Sequence, residues 1–400
     1  MIITPIIDSN VARSCHPLGC HEMIKQQVKT IKNSLGASRN KQNVLILGAS
    51  SGFGLAARIC LTFGGGQANT LGVSYERGPS DKNIGTAGWY NNIYFKQEAE
   101  RHGYQAINIV GDAFAKSTRQ QVAEAIQQKF NGKVDLVIYS LATGARPNPI
   151  DGTLWRSTIK PIKEVQTGYN LNLEHETLDL VDIPPATTKE IEDTVKVMGG
   201  EDWQEWVDFL QSKDLLASGC QTLAFSYIGS PLTHNIYHRG TLGAAKEHLH
   251  QSVTTLNQQL APIQGSAHVV VCKALVTKAS AFIPTFSPYM LALYQVMKQQ
   301  GLHEGCLKQM QRLFKEKLST NKDEIQSDAN GLIRLDDWEL RPEVQQQTAE
   351  LIKKITPENF KDISDYQQYR QEFMQLNGFE VPNINYEQPV DVAELLKLKP

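Results

Sequence analysis

Residues 43–63 read NVLILGASSGFGLAARICLTF. An apolar run from Val44 ends at Gly48, as a buried parallel strand does. The segment Gly48-Ala49-Ser50-Ser51-Gly52-Phe53-Gly54 then turns the chain, and a helix is expected to follow. A strand, a glycine turn and a helix in that order make a place for a pyrophosphate. Glycine allows a tight turn and close backbone approach, and the phosphate meets the free N–H groups of the helix N-terminus. The glycines alone are a weak signal and their context strengthens it; a plain turn between strand and helix is the alternative.

Working outward, further strands are expected at 70–76, 104–114, 134–142, 221–229 and 267–275, with helices at 93–102, 117–130, 201–213 and 241–260. Such alternation builds a parallel sheet with right-handed crossovers. The expected fold is α/β, a Rossmann-type doubly wound parallel sheet with helices on both faces. Ahead of it lies a helix near 21–34. Residues 77–92 read as a long polar loop within an insertion over 77–103. Residues 143–200, with Pro147, Pro149, Pro161, Pro184 and Pro185, read as a second insertion: a hairpin and then an acidic helix at 188–197, placed to cover substrate. From about 280 a helical extension is expected, closing in an extended tail over 380–400. The whole of 1–400 is read as one domain carrying these insertions.

The composition is that of a soluble globular protein, and a net charge of −2 argues against a general nucleic-acid binder. No apolar run approaches the roughly 20 residues of a membrane helix. The start MIITPIIDSN lacks the basic and apolar regions of a secretory signal, and the six cysteines show no CxxC. Reduced thiols in the cytoplasm are the expectation. His234, His238, His248 and His250 crowd one region without carboxylate-rich ligand spacing, so they read as surface or packing residues and no metal is expected.

Glu76 lies 22 residues past Gly54, at the end of the second strand. An acidic residue about 20 positions on bonds the adenosine ribose and repels a 2′-phosphate, which favours NADH over NADPH. Arg77 is a counter-signal, since a nearby Arg accepts that phosphate. Asp112 is a candidate for the adenine side, or a turn residue. Leu141-Ala142 would lie under the nicotinamide ribose, with Leu275-Val276-Thr277 on the opposite side.

Tyr237 and Lys246 stand apart by eight intervening residues, YHRGTLGAAK. A positioned phenol stabilises negative charge developing on oxygen beside a hydride acceptor. An ammonium close by lowers the phenol's pKa and binds ribose hydroxyls. Nine positions advance about 900° on a helix at about 100° per residue, so the two would face opposite ways on one unbroken helix. Gly240 and Thr241 lie between them as breaker and cap. A helix is therefore expected to start at Thr241, with Lys246 in its second turn and Tyr237 ahead of it. Tyr227, ending the preceding strand, is a candidate for contacting substrate. Ser226 and Ser230 leave open a carbonyl reductase, and a non-catalytic NAD sensor is a further alternative.

These features, with GTAGWYNN (85–92), TVKVMGGEDW (194–203), KALVTKASAFIP (273–284) and RLDDWEL (334–340), resemble the FabV-type trans-2-enoyl-ACP/trans-2-enoyl-CoA reductase family over almost the whole chain. The Tyr-x8-Lys spacing is the specific element. The resemblance implies NADH-dependent reduction of the 2,3 double bond of enoyl thioesters, on acyl carrier protein or CoA, as the last reductive step of fatty acid elongation. It implies Tyr237 as proton donor and Lys246 as a cofactor ligand. It places residues 48–53, Tyr75-Glu76, Asp112-Ala113, Leu141-Ala142 and Leu275 to Thr277 around the cofactor, and Tyr227 on substrate. A monomer is the family's implied state.

Overall fold

The computed structural model describes residues 1–32, 34–35, 41–80, 83–319 and 324–400. Position 33 of the expected first helix, and positions 81–82 and 320–323 of the expected insertion and extension, lie outside the described residues.

The chain opens with a small hairpin, β1 (Ile7–Asp8) and β2 (Val11–Ala12), and then helix α1 (Pro17–Ile31). There follow β3 (Asn43–Leu47), α2 (Gly52–Phe63), β4 (Asn69–Ser74), α3 (Ala87–Arg101), β5 (Ala106–Val110), α4 (Lys116–Lys129) and β6 (Val134–Tyr139). Two hairpins interrupt: β7 (Ala145–Pro147) with β8 (Leu154–Arg156), and β9 (Gln166–Asn172) with β10 (Thr177–Ile183). The alternation resumes with α5 (Thr188–Met198), α6 (Glu201–Ser212), β11 (Leu216–Ser226), α7 (Thr241–Leu260) and β12 (Ser266–Val271). The last third holds α8 (Ser287–Gln299), α9 (Cys306–Arg312), β13 (Ile333–Arg334), α10 (Pro342–Ile352), α11 (Phe360–Ile363), α12 (Tyr366–Gln375) and α13 (Val392–Lys397).

Seven strands form one parallel sheet in the order β13-β12-β11-β6-β3-β4-β5. Strand periodicity divides its apolar residues between two cores. Val44, Ile46, Leu136 and Ile138 pack on one face, with Ile24 of α1, Ile59 of α2 and Phe95 of α3 in that core. Leu45, Leu47, Val137 and Tyr139 pack on the other, with Val122 of α4, Trp203 of α6 and Leu256 of α7. The expected doubly wound sheet is thus present. The chain leaves β3 for β4 and β5 on one side, then crosses to β6 on the other, so the crevice for a ligand opens above the ends of β3 and β6.

Several expected boundaries change. Helix α3 begins at Ala87, inside the stretch read as loop. Its asparagines are polar, yet Asn91 donates to Ser50 O at 2.9 Å and Asn92 to Ser74 Oγ at 2.8 Å, both from buried positions. Helix α1 starts earlier than expected, at Pro17, because Pro suits a first helical turn and His16 Nδ1 caps Gly19 N. The second insertion holds two hairpins, not one. The tail carries α13, capped by Asp391, and the helical extension contributes β13 to the sheet edge.

Candidate active site

The phosphate loop is held by close contacts that only glycine allows. Gly48 has φ +88°, and a Cβ there would lie 2.4 Å from Ser140 O. A Cβ on Gly54 would lie 2.1 Å from Gly48 O, so the first turn of α2 packs directly on the strand end. Above this loop is a cavity of about 540 Å³. Gly48, Ser50 to Phe53, Tyr75, Glu76, Asp112, Ala113, Leu141, Ala142 and Thr277 all line it. The α2 N-terminus faces it with no acidic side chain in its first turn, which suits an anion.

Glu76 is fixed from two sides: Ser50 Oγ donates to its Oε1 at 2.6 Å, and Thr86 Oγ1 donates to its Oε2. Gly88 gives it room, since a Cβ there would lie 1.9 Å from Oε1. The carboxylate is therefore a stationary negative charge at the cavity wall. Arg77 and Tyr75 are exposed. Asp112 is both things the sequence allowed: it lines the cavity, and its Oδ1 accepts from Phe114 N at 2.9 Å in a turn.

A second cavity of about 180 Å³ shares Phe53, Ser140, Leu141, Ala142 and Thr277 with the first. Tyr237, Lys246 and Tyr227 line it, with apolar walls from Ile159, Met198, Phe225, Ile283 and Phe286. Helix α7 starts at Thr241 as expected, with Gly240 at its cap. Tyr237 precedes it in a turn, where its carbonyl accepts from Gly240 N and Gly243 N, each at 3.0 Å. That turn reorients the chain, so the nine-residue step brings Tyr237 and Lys246 to one cavity.

Burial pushes the Tyr237 phenol upward, where a neighbouring ammonium was expected to lower it. Desolvation is the main cause, so the phenol stays protonated and is equipped to donate. Lys246 is only partly buried along its length, but its ammonium end is enclosed, and that enclosure pulls its pKa down to about 8. The ammonium's hydrogen bond is to Phe225 O, at 3.5 Å. The rings of Tyr227 and Tyr237 meet edge to face, 4.8 Å apart. The Tyr227 hydroxyl donates to Glu339 Oε1 at 2.9 Å, and the Tyr289 hydroxyl donates to the same oxygen at 2.6 Å.

Of the expected residues, Ala49, Gly54 and Val276 line neither cavity. Ala49 is buried beneath the loop, and Val276 faces a third space near α12 while its N–H donates to Tyr294 OH at 2.9 Å. Sequence reading missed Ser140, Thr143 and Lys278 in the first cavity, and Cys272 and Phe286 in the second. Ser140 directly precedes the expected Leu141-Ala142 at a strand end, which was a usable signal. Glu339 lay in the quoted RLDDWEL stretch, but nothing local tied it to Tyr227.

A dinucleotide cavity joined to a pocket holding Tyr and Lys defines the class of nicotinamide-dependent reductases. The family model "Trans-2-enoyl-CoA reductase catalytic region" matches residues 83–319, and "NAD(P)H binding domain of trans-2-enoyl-CoA reductase" matches 2–81. An enoyl-[acyl-carrier-protein] reductase [NADH] of Photobacterium profundum is 52% identical, and one of Vibrio vulnificus 55%, each with both chains fully covered. A crystal structure of Clostridium acetobutylicum trans-2-enoyl-CoA reductase in complex with NADH matches at TM-score 0.96 and 46% identity, with both chains fully covered. The Treponema denticola enzyme in complex with NAD matches at TM-score 0.93 and 41% identity, covering 98% of each chain. This chain belongs to the trans-2-enoyl reductase family.

A third family model, "Enoyl reductase FAD binding domain", matches residues 327–390. The residues there do not fit a flavin dinucleotide. The segment has two glycines, Gly331 and Gly378, and no strand, glycine turn and helix in succession. Gly378 is packed against α1, since a Cβ there would lie 2.3 Å from His16 O. No step is assigned to a flavin.

Proposed function

We propose that this chain uses NADH to reduce the trans-2 double bond of enoyl thioesters carried on acyl carrier protein or CoA, completing a cycle of fatty acid elongation. The observation that carries the reading is the placement of Tyr237 and Lys246 in an apolar pocket continuous with the dinucleotide cavity. The first cavity takes the adenosine and pyrophosphate, with Glu76 at the ribose. The second takes the nicotinamide against Leu141, Ala142 and Thr277, and the thioester beside Tyr237.

Hydride passes from the nicotinamide to C3, and the electrons of the double bond move to the thioester oxygen. Tyr237 donates to that oxygen as charge develops, and C2 is then protonated. Lys246 binds the cofactor's ribose and keeps positive charge near the enolate. Tyr227, its proton committed to Glu339, contributes its ring to the pocket wall. The apolar side chains Ile159, Phe225, Ile283 and Phe286 accept the acyl chain. Carbonyl reduction is disfavoured at this site: Ser226 Oγ is engaged with His250 at 2.8 Å, and Ser230 Oγ accepts from Leu232 N at 3.2 Å.

Among the described residues, no helix is long and apolar enough to cross a membrane. A monomer working in the cytoplasm, where NADH and carrier thioesters are available, completes the reading. Parallel turnover measurements with enoyl-CoA and enoyl-carrier substrates, each with NADH and NADPH, test it; no reduction of either thioester would reject it.

A further inference from the structure

Each turnover combines an enoyl thioester, NADH and one proton into an acyl thioester and NAD⁺. The hydride brings an electron pair to C3, and the proton that ends on C2 comes from Tyr237. The resulting phenolate must take a proton from water before the next cycle. Cofactor and substrate fill the two cavities already described, so that proton needs another way in.

A separate cavity of about 460 Å³ reaches Tyr237 and Lys246. Its remaining walls include His250 of α7 and Leu332 ahead of β13, and the exposed residues His238, Glu247, Gln251 and Asn330 border it. His250 sits one turn beyond Lys246 on α7. Its Nε2 lies 2.8 Å from Ser226 Oγ, a hydrogen bond that joins this cavity to the substrate pocket, which Ser226 lines. Lys246 donates to Phe225 O, the carbonyl joined to the nitrogen of Ser226. Imidazole, hydroxyl and ammonium thus converge on the Phe225–Ser226 peptide, between solvent and Tyr237.

We propose that this cavity is the proton inlet of the reductase, with His250 passing a proton from cavity water through Ser226 to the Lys246–Tyr237 pair. The proposal rests on the enoyl-reductase reading above. An imidazole accepts a proton at one ring nitrogen and releases one from the other, so it relays without holding charge. Burial, with the Lys246 charge, holds the His250 pKa down at about 4, so the ring is neutral at rest and gives up a proton readily. The sequence suggested a surface or packing position for this histidine; its contact with Ser226 and its place between two cavities indicate a role.

The test uses His250→Ala and Asn330→Trp, assayed by NADH oxidation with a trans-2-enoyl thioester in H₂O and D₂O. In His250→Ala, kcat should fall about 10-fold or more while KM for NADH stays within about 2-fold. Its solvent isotope effect should rise, and added imidazole should restore turnover, which repairs a lost proton relay and not a lost packing contact. Asn330→Trp acts from the exposed rim, so it reads the route even if His250→Ala fails to fold. It should lower kcat and raise the solvent isotope effect, with no response to imidazole. Turnover and isotope effects unchanged in the folded variants would overturn the inlet, as would a loss in His250→Ala that imidazole leaves untouched. Wild-type protein that reduces no enoyl thioester would strike the function itself instead.

Discussion

The Tyr227 hydroxyl donates to the fully buried Glu339 carboxylate at 2.9 Å, tying the end of β11 to the helical extension 112 positions later. The other carboxylate oxygen accepts from Ala274 N at 2.7 Å, at the start of the wall formed by Leu275 and Thr277. One side chain therefore braces both sides of the substrate pocket. Glu339→Gln should lower stability by about 1–3 kcal/mol, because an amide cannot accept from all three donors and leaves one unsatisfied. Tyr227→Phe keeps the ring against Tyr237 and should raise KM for the enoyl thioester more than it lowers kcat. Thermal melts and steady-state kinetics read both; a kcat loss in Tyr227→Phe as large as that of Tyr237→Phe would contradict the division of roles.

In the proposed function Glu76 sets cofactor choice, through a carboxylate held in place by Ser50 and Thr86. Glu76→Ala removes the repulsion toward a 2′-phosphate and leaves Arg77 beside the site. Its kcat/KM with NADPH should rise about 10-fold relative to that with NADH. An unchanged ratio of the two would show that Glu76 does not select the cofactor.

Lys246 predicts a pH dependence of cofactor binding. Its pKa of about 8 lies below the ordinary lysine value, so the ammonium is charged below that pH and neutral above it. The attraction for NADH proposed for it should be fully present below about pH 8 and lost as pH rises through it. Isothermal titration should show Kd for NADH rising by up to about 10-fold per pH unit above that point. Lys246→Ala should bind more weakly at neutral pH and show a flat profile over the same range.

Gly54→Ala would force a methyl to 2.1 Å from Gly48 O, and backbone must move to relieve it. NADH affinity should fall about 10-fold or more through displacement of the loop. Affinity retained within about 2-fold would mean that the phosphate cradle tolerates a wider loop.

Local pattern made much of this legible. The strand, turn and helix from Asn43 to Phe63 are specified by residues adjacent in sequence, and so is the α7 start at Thr241. The start of α3 was hidden because Asn91 and Asn92 are polar yet buried, satisfied by Ser50 and Ser74 from elsewhere in the chain. Strand β13 has two residues, too few to show a period, and exists by pairing with β12. Glu339 and His250 could not be placed for the same reason: their partners lie on other elements, and only the folded sheet brings them together.

The measurement that bears most directly on the central claim is NADH oxidation by wild type and Tyr237→Phe, with crotonyl-CoA and acetoacetyl-CoA side by side, alongside NADH binding. The account predicts wild-type turnover of crotonyl-CoA far above acetoacetyl-CoA. In Tyr237→Phe, kcat should drop about 100-fold or more with Kd for NADH within about 2-fold. Undiminished turnover in that variant, or a wild-type preference for acetoacetyl-CoA, would contradict it.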